Sequence, residues 1–448
     1  MKRRCQSGKR SQLALLTLIL LTLSIVLRTQ PVHASGFGVF TQGASGLGQA
    51  NAVVAHPTGP SSLYFNPALL NDVPGRQVEF GTTAVLSRRE VNLDSGGSDS
   101  TGDIWNFPVS FYYTHQGSDR VTSGFGVTFP FGLSNKWDGD YAGRYLGTSA
   151  EMFTMNLNPV ISYLVTDHFS LAFGLDLLYL KSTLESKVNQ TAAYWVTDKV
   201  YFNDELPDQN NLPDIAQKFE ADGWGAGFNL GALFKATDQL TIGAAYRSEI
   251  DVEAEGDASF SNAVPLLSGS FQNSTGSADI TLPAQATVGV AFQVSAPFVI
   301  EVGCRWEDWE STEHLKINLN SPLGETSQVI PRDWRATWAW NLGGHYRVND
   351  RLAINAGYLY SDDPIPDSTF EPVIPDSPAH LFTVGADMNH GAWTLSGAFG
   401  YEYHESRDKT NRLGDPIGSM AAEEPANTAN GEYTTDIYLI GVSLGYRF

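Results

Sequence analysis

The chain has 448 residues and carries 28 basic against 49 acidic residues, a formal net charge of −21. This acidic surplus repels the phosphate backbone, so nucleic acid is excluded as a partner. Hydrophobic residues make up 42% of the chain, and 43 Gly accompany 10 Trp, 18 Tyr and 24 Phe. Such a composition fits a large β protein or an α/β protein, and the order of the residues must decide between them.

The first 34 residues have the pattern of a secretory signal. Basic residues between Lys2 and Arg10 precede an apolar run from Leu13 to Leu27, and Val32-His33-Ala34 then predicts cleavage after Ala34. The run is shorter than the about 20 apolar residues of a spanning helix, and a short N-terminal anchor is the alternative reading. Removal of this segment leaves Cys304 as the single cysteine, so we expect no internal disulfide.

Residues 35–75, called the N-terminal segment below, differ from the rest of the chain. Asp72 is their only formal charge, and they are rich in Gly, Ala and Ser without a sustained period. A solvated tail would carry charge and a strand would alternate. We therefore expect the segment to pack inside the protein as a plug, with a flexible linker as the alternative.

From about Gln77 to the end, apolar residues recur with a period of two. In the last segment Tyr438, Ile440 and Val442 share one face, while Gly441 and Ser443 take the other. Similar stripes occur in 169–179, 228–234 and 334–342. The segments run about ten residues or more, beyond the about 5–6 of soluble strands, and this length suits strands that cross a bilayer.

The connections between these segments alternate in length. We count 14 segments, which start near residues 77, 104, 120, 150, 168, 223, 239, 279, 297, 333, 351, 379, 391 and 433. Every second connection is as short as Asn349-Asp350, whereas the others are long, and transmembrane barrels have this asymmetry. An open sheet edge cannot be satisfied in lipid, so the sheet must close.

The sequence therefore predicts an all-β fold, a 14-stranded antiparallel transmembrane β-barrel. Residues 1–34 form the signal, 35–75 the plug in the lumen and 76–448 the barrel. An even strand count places both chain ends on the periplasmic side of a Gram-negative outer membrane. Tryptophans suit an aromatic girdle at the membrane interfaces, namely Trp306, Trp309, Trp334, Trp338, Trp340 and Trp393.

Several motifs, taken in order, resemble the FadL/TodX (OmpP1) family of outer-membrane transporters. They are 45–50 (SGLGQA), 66–69 (NPAL), 130–133 (PFGL), 141–145 (YAGRY), 155–159 (MNLNP), 243–248 (GAAYRS), 282–284 (LPA), 362–367 (DDPIPD) and 374–377 (IPDS). The resemblance implies a 14-stranded barrel plugged by an N-terminal hatch. It also implies passive, selective uptake of long-chain fatty acids or aromatic hydrocarbons. The hatch positions it assigns are Gly46, Leu47, Gly48, Asn66, Pro67 and Ala68.

Two long connections, about 188–222 and 260–278, are rich in apolar residues. The family forms an extracellular hydrophobic groove from two loops, and our groove candidates are Tyr194, Trp195, Tyr201, Phe202, Leu212, Ile215, Phe219, Leu266 and Leu267. Leu212, Ile215 and Phe219 have the spacing of one face of a short helix. The alternative is that these residues only pack the loops over the barrel mouth.

The third strand contains residues that interrupt ladders. Proline has no N–H to donate, and both proline and glycine mark bulges or edges. The family is thought to release its ligand sideways at a kink in this strand, and the matching positions are Gly124, Gly126, Phe129, Pro130, Phe131 and Gly132. The alternative is a strand that ends at Pro130.

A carboxylate ligand would need a cation inside the barrel, ideally an arginine. The family's fatty-acid transporters have a basic residue near the outer end of strand five, where this chain has Ser186. Arg144, Lys181, Lys187 and Arg247 remain as possible carboxylate partners. Fatty acid and neutral hydrocarbon therefore both stay open as substrates.

Other functions lack a motif. The histidines form no H-E-x-x-H, and although His345 and Ser443 lie on predicted strands, nothing pairs them with an orienting acid, so we expect no enzyme, no cofactor and no metal. We interpret the acidic residues Asp362, Asp363, Asp367, Asp376, Glu423 and Glu424 as solvated loop charge. Expected partners are hydrophobic small molecules, outer-membrane lipid and lipopolysaccharide, with the protein a monomer. A general diffusion porin or an adhesion barrel is the alternative function.

Overall fold

The structure is a computed structural model that describes residues 36–39, 41–202, 206–207, 209, 211–321, 324–418 and 428–448. The predicted signal, residues 1–34, and the acidic residues Glu423 and Glu424 lie outside the described residues. No helix among the described residues is long and apolar enough to cross a bilayer.

Short helices precede and interrupt the strands. Helices α1 (Ala44–Leu47) and α2 (Ser62–Phe65) are followed by a 3₁₀ helix (Pro67–Asp72), and α3 (Gln190–Thr197) continues into a π-helical turn (Asp198–Phe202). Further 3₁₀ turns occur at Trp309–Ser311 and Asp367–Thr369.

The strands, in chain order, are β1 (Arg76–Leu93), β2 (Ser98–Ser100), β3 (Ile104–Asn106), β4 (Val109–Gln116), β5 (Val121–Thr128), β6 (Gly132–Lys136), β7 (Ser149–Thr166), β8 (Phe169–Val188), β9 (Ile215–Lys235), β10 (Leu240–Arg247), β11 (Ile250–Ser261), β12 (Ser274–Leu282), β13 (Gln285–Ser295), β14 (Phe298–Glu307), β15 (His314–Ser321), β16 (Gly324–Pro331), β17 (Thr337–Arg347), β18 (Leu352–Ser361), β19 (Ala379–His390), β20 (Trp393–His404), β21 (Arg407–Lys409) and β22 (Gly431–Arg447).

These strands close into a 14-stranded antiparallel barrel, which confirms the predicted fold class. Closure occurs between β1 and β22, which pair from Gln77 opposite Arg447 to Leu93 opposite Gly431. Four barrel strands consist of two consecutive elements each, namely β3 with β4, β5 with β6, β10 with β11, and β12 with β13. A closed ring leaves no sheet edge in lipid.

The two ends of the barrel differ as the connection lengths predict. At one end the strands are joined by tight turns, such as those between β7 and β8 and between β19 and β20. At the other end the connections are long, and β9, β11, β12, β15 and β16 extend the sheet beyond the barrel. This is the arrangement of a barrel with periplasmic turns and extracellular loops.

Side chains on the strands alternate between an apolar outer face and a polar inner face. On β1 and β22, Phe80 and Leu444 are exposed on the outside, whereas Thr83 and Ser443 are buried on the inside. An apolar surface that is exposed in the isolated chain is what a lipid-facing barrel requires. The period of two in the sequence thus reports the inner and outer faces correctly.

The tryptophan prediction is only partly right. Trp338, Trp340 and Trp393 are exposed on the outer face, as a girdle requires. Trp309 and Trp334, however, are buried against each other at a ring-centroid distance of 5.4 Å. Their assignment to the girdle is wrong because neither lies on a strand. Trp309 follows β14, Trp334 precedes β17, and both side chains fold inward over the lumen.

Candidate ligand cavity and break in the barrel wall

The N-terminal segment lies against the inner face of the barrel. Ala44 donates its backbone N–H to Ser443 Oγ on β22, and the Asn66 side chain donates to Ala232 O on β9. Inward-facing glycines leave room for this packing, since a Cβ on Gly243 would lie 2.1 Å from the carbonyl oxygen of Val54. Larger residues at such positions would displace the segment.

Buried carboxylates on the inner face bind the segment. Glu301 on β14, fully buried, accepts the backbone N–H of Val54 at 2.5 Å and of Ala55 at 3.0 Å, and its Oε2 lies 2.9 Å from His56 Nδ1. Glu79 on β1 accepts the N–H of Ser61 at 3.1 Å. A buried carboxylate needs such donors, and backbone N–H groups outside regular structure need acceptors.

The predicted hatch residues are all buried in this packing. A Cβ at Gly46 would lie 2.7 Å from Phe65 Cζ, and one at Gly48 would lie 3.1 Å from Gly385 Cα on β19. Asn66 caps the 3₁₀ helix that Pro67 starts, because its Oδ1 accepts the N–H of Ala68 at 3.1 Å. Leu47 and Ala68 have no exposed surface.

The third barrel strand carries one extra residue. Thr128 of β5 lies opposite Asn156 of β7, whereas Gly132 of β6 lies opposite Phe153, so the pairing slips by one position across 129–131. The strand therefore does not end at Pro130 but breaks and resumes. An insertion of this kind bends a strand and leaves ladder groups unpaired.

The broken strand lacks its regular neighbour on one side. Within the described residues, β5 pairs with β4, but β6 has no recorded pairing with β3, the outer half of the second strand. Backbone of the N-terminal segment takes this place: Val39 N donates to Pro130 O at 2.8 Å, and Gly132 N donates to Phe37 O at 3.0 Å. The segment thus covers the break from inside.

Gly124 and Gly126 lie away from this break. Both face inward on β5, beneath the N-terminal segment, and a Cβ on Gly124 would lie 2.6 Å from Leu63 Cδ1. They make room for Leu63 and Leu70 rather than interrupting the ladder. Of the predicted gate residues, the structure brings Phe129, Pro130, Phe131 and Gly132 together at the break.

An apolar cavity of about 440 Å³ adjoins the break. Its inner part is lined by Phe37, Phe131 and Leu439, and its outer part by Phe107 and Phe153, which are exposed on the outside of the barrel. The lining therefore includes residues from both the inner and the outer face of the barrel wall. This volume lies within the range of about 300–1,000 Å³ that is usual for small-molecule sites.

The extracellular end of the cavity is polar. Arg89 on β1, Glu402 and His404 on β20, and Asp376 in the connection after β18 line it. His404 Nε2 lies 2.9 Å from Glu402 Oε1, and Asp376 accepts the backbone N–H groups of Gly36 and Ser377. Burial, and then the neighbouring Asp363, raise the pKa of Asp376 to about 7.

The four basic residues proposed from the sequence have different surroundings. Lys181 lies on the outer face of β8 and pairs with Glu220 at 2.7 Å. Lys187 lies further along β8 on the same side of the strand. Arg247 is buried in the lumen and pairs with Asp176. Arg144 pairs with Asp214 at 2.7 Å in the extracellular connections.

The two apolar loops contact each other. Ile215 and Leu267 are buried in one cluster, to which Tyr194 adds a partly buried ring, and the Gln190 side chain accepts the N–H of Val264. Phe219 belongs to a neighbouring cluster with Leu315 and Ile317. Four groove candidates remain exposed on the extracellular side, namely Trp195, Tyr201, Phe202 and Leu266.

The helix predicted from Leu212, Ile215 and Phe219 is wrong. Ile215 and Phe219 lie on β9, which begins at Ile215 and pairs with β8 and β11, while Leu212 lies in the irregular stretch before it. Pairing with two neighbouring strands outweighs a weak helical spacing. The helix of this connection is α3, which contains Tyr194 and Trp195.

The interpretation of the acidic connection as solvated charge is also wrong for its described core. Asp362, Asp363 and Asp376 are buried, and Asp363 pairs with Arg407. The connection folds back over the barrel mouth, so its carboxylates must find basic partners. Burial also raises the pKa of Asp362 to about 7.

Sequence reasoning missed three residues that organise this region: Glu301, Arg89 and Phe37. Glu301 and Arg89 each occupy an inward position of an alternating strand, and a charge at such a position is a usable signal. Phe37 packs edge-on against Trp309 at 4.7 Å, a long-range contact that no local pattern encodes.

The fold defines the class of this protein: a closed 14-stranded antiparallel β-barrel with an apolar outer face, against whose inner face the N-terminal segment packs. Residues 25–448 match the family described as outer membrane protein transport protein (OMPP1/FadL/TodX). The chain belongs to this family and is an outer-membrane transport protein.

Similar proteins are distant in sequence but match this chain over most of their length. Outer membrane protein P1 of Haemophilus influenzae is 24% identical, over 96% of this chain and 98% of that protein. The long-chain fatty acid transport protein of Escherichia coli O6:H1 is 26% identical, over 82% of this chain and 86% of that protein. The crystal structure of a Pseudomonas aeruginosa FadL homologue superposes with a TM-score of 0.82 at 20% identity, covering 92% of this chain and 100% of that one.

Proposed function

We propose that the protein mediates passive, selective uptake of hydrophobic molecules, long-chain fatty acids or aromatic hydrocarbons, across the outer membrane. In this proposal the N-terminal segment is the hatch and the ligand leaves sideways at the third strand. The observation that carries it is the apolar cavity between the N-terminal segment and the outward-facing Phe107 and Phe153. A water-filled pore would serve such ligands poorly.

Entry would use the exposed apolar residues of the extracellular connections. Trp195, Tyr201 and Phe202 present apolar surface to the outside, next to the contact between the two loops. Each methylene removed from water gains about 0.8 kcal/mol, so a chain of roughly 15 methylenes gains about 12 kcal/mol at most. A ligand bound this way moves on only along other apolar surfaces.

Exit would require the N-terminal segment to withdraw from the break. The backbone hydrogen bonds to Pro130 and Gly132 and the contacts of the Gln42 side chain with Phe129 hold it there. Binding of ligand in the cavity would compete with Phe37, which lines the same space. The step is a displacement of the hatch by ligand, without an energy source.

The proposed membrane partners and oligomeric state of the protein are based on the same barrel geometry. The exposed apolar outer face would contact membrane lipid, and the extracellular connections would lie among lipopolysaccharide. One chain closes the ring by itself through β1 and β22, so we propose a monomer. The closed ring needs no partner to satisfy its edges.

The break can be repaired by removing its extra residue. Deletion of Pro130 returns the strand to one register with β7, because the slip across 129–131 is a single position. We expect this variant to insert normally and to lose most uptake of oleate and toluene, measured with labelled ligand in cells that lack their own transporter. Growth on each compound gives an independent readout.

Pro130→Ala is the matched control, since it keeps the extra residue and only replaces the proline ring by a methyl group and a backbone N–H. It should retain uptake close to that of the unmodified protein. Normal uptake by the deletion variant would remove the sideways exit from the proposal. Absence of oleate and toluene uptake by the unmodified protein would refute the transport of hydrophobic molecules.

A further inference from the structure

Arg89 places a cation at the polar end of the apolar cavity. It follows Val85 and Ser87 on the inward face of β1, and all three residues line the cavity. Its sequence neighbour Arg88 points the other way, is half exposed and pairs with Asp103 at 2.5 Å. The two adjacent arginines therefore occupy opposite sides of the barrel wall.

The Arg89 guanidinium is poorly satisfied by the protein. Its one recorded hydrogen bond within the described part of the chain runs to Ser87 Oγ, at 3.1 Å. Its Nε is buried and has no acceptor among the described residues. A guanidinium carries five N–H donors in a planar fork, and leaving them unpaired away from water is unfavourable.

The acids near Arg89 are engaged with other groups. Glu402 is hydrogen-bonded to His404, and Asp376 accepts N–H groups from Gly36 and Ser377. His404 Nδ1 also lies 3.7 Å from Asp376 Oδ1. Neither carboxylate forms an ion pair with Arg89 in the described structure, so the guanidinium of this cavity-lining residue has no carboxylate partner there.

We infer that Arg89 binds the carboxylate of an amphipathic ligand whose hydrocarbon chain occupies the apolar cavity. The inference rests on the proposed function and selects fatty acids over neutral hydrocarbons as the ligand of this cavity. A planar carboxylate can accept two parallel N–H bonds from the fork, and Leu439 and Phe131 line the space for the chain. Arg144 and Arg247 are less suited because each already has a carboxylate partner.

The test compares two ligands with the same chain, oleate and methyl oleate, on the purified full-length protein in detergent. Arg89→Gln should weaken oleate binding about 10- to 100-fold, the usual loss for hydrogen bonds to a charged group, and leave methyl oleate within about twofold. Arg89→Lys should recover part of the oleate affinity, because it keeps the charge without the fork. Arg88→Gln is the control and should change neither affinity.

Each result is decisive. An unchanged oleate affinity in Arg89→Gln overturns the inference, and so does an equal loss for both ligands, which would make Arg89 a packing residue. A thermal melt equal to that of the unmodified protein shows that the variant is folded. If the unmodified protein binds neither oleate nor methyl oleate, the proposed function fails for these ligands, whatever residue stands at position 89.

Discussion

Glu301 should decide how firmly the N-terminal segment is held. Glu301→Ala removes the acceptor of two buried backbone donors, the N–H groups of Val54 and Ala55, and the neighbour of His56 Nδ1. The barrel pairing of β14 is made by the backbone and is unaffected. The substitution therefore perturbs the segment selectively.

The expected magnitude follows from the two stranded donors. Leaving a buried donor unsatisfied costs about 1–3 kcal/mol, so the two N–H groups together weaken the docked state by about 2–6 kcal/mol. Every 1.4 kcal/mol is a factor of ten, so the released state should become about 30-fold to 10⁴-fold more populated. Water that enters the lumen would bring the effect toward the lower figure.

Hydrogen–deuterium exchange measures this directly. Peptides covering 44–60 should exchange faster in Glu301→Ala by the factor above, while peptides from β7 and β8 keep their protection. Glu307→Ala is the matched control: Glu307 is buried on the inner side of the same strand, but its partners are Gln285 and Arg305 of the barrel. Equal exchange of 44–60 in Glu301→Ala and the unmodified protein would refute the reasoning, as would an equal increase in Glu307→Ala.

Two further predictions concern packing and pH. Gly243→Ala should release the N-terminal segment and raise the single-channel conductance, because the new methyl would lie 2.1 Å from Val54 O; Gly397→Ala, with no atom within 4 Å of its Cβ, should leave conductance unchanged. The pKa of Asp376 is raised to about 7 by burial and Asp363, above about 3.9 in the unfolded loop, so the packed connection holds a proton that the free loop loses. Its stability should therefore fall as pH rises from about 4 to 7. Burial raises the pKa of Asp362 in the same connection to about 7 as well, so its effect has the same sign. After correction for intrinsic rates, exchange of 362–378 should be faster at pH 8 than at pH 5.5, and the double variant Asp362→Asn/Asp376→Asn should remove most of this difference; a slope that survives in the double variant would contradict the assignment.

The sequence predicts the barrel because the residue patterns that specify strands and turns are local. Alternation of apolar and polar residues, as in Leu171 and Phe173 with Ala172 between them, reports a strand with lipid on one side. Turn pairs such as Asn349-Asp350 report where strands reverse. Strand count, connection parity and closure follow from these signals and from the impossibility of an open edge in lipid.

The same local signals were insufficient for the loops and the interior. Ile215 and Phe219 have helical spacing but lie on a strand, because β9 continues past the barrel and pairs there with β11. Trp309 and Trp334 are as apolar as the girdle tryptophans and differ only in being turned inward. Whether a loop residue faces lipid, water or the lumen depends on how the connections fold over the mouth.

By itself, the order of residues determined the outer-membrane barrel, its 14 strands and an N-terminal segment with a single formal charge that had to be buried somewhere. Only the tertiary structure decided that Gly38 pairs with Phe131 at the break and that Glu301 accepts the backbone N–H of Val54. The same holds for Arg89, which lines an apolar cavity. The reason is distance along the chain: a strand is specified by neighbours two residues apart. Gly38 and Phe131 are 93 residues apart in the chain, and Val54 and Glu301 are 247 residues apart.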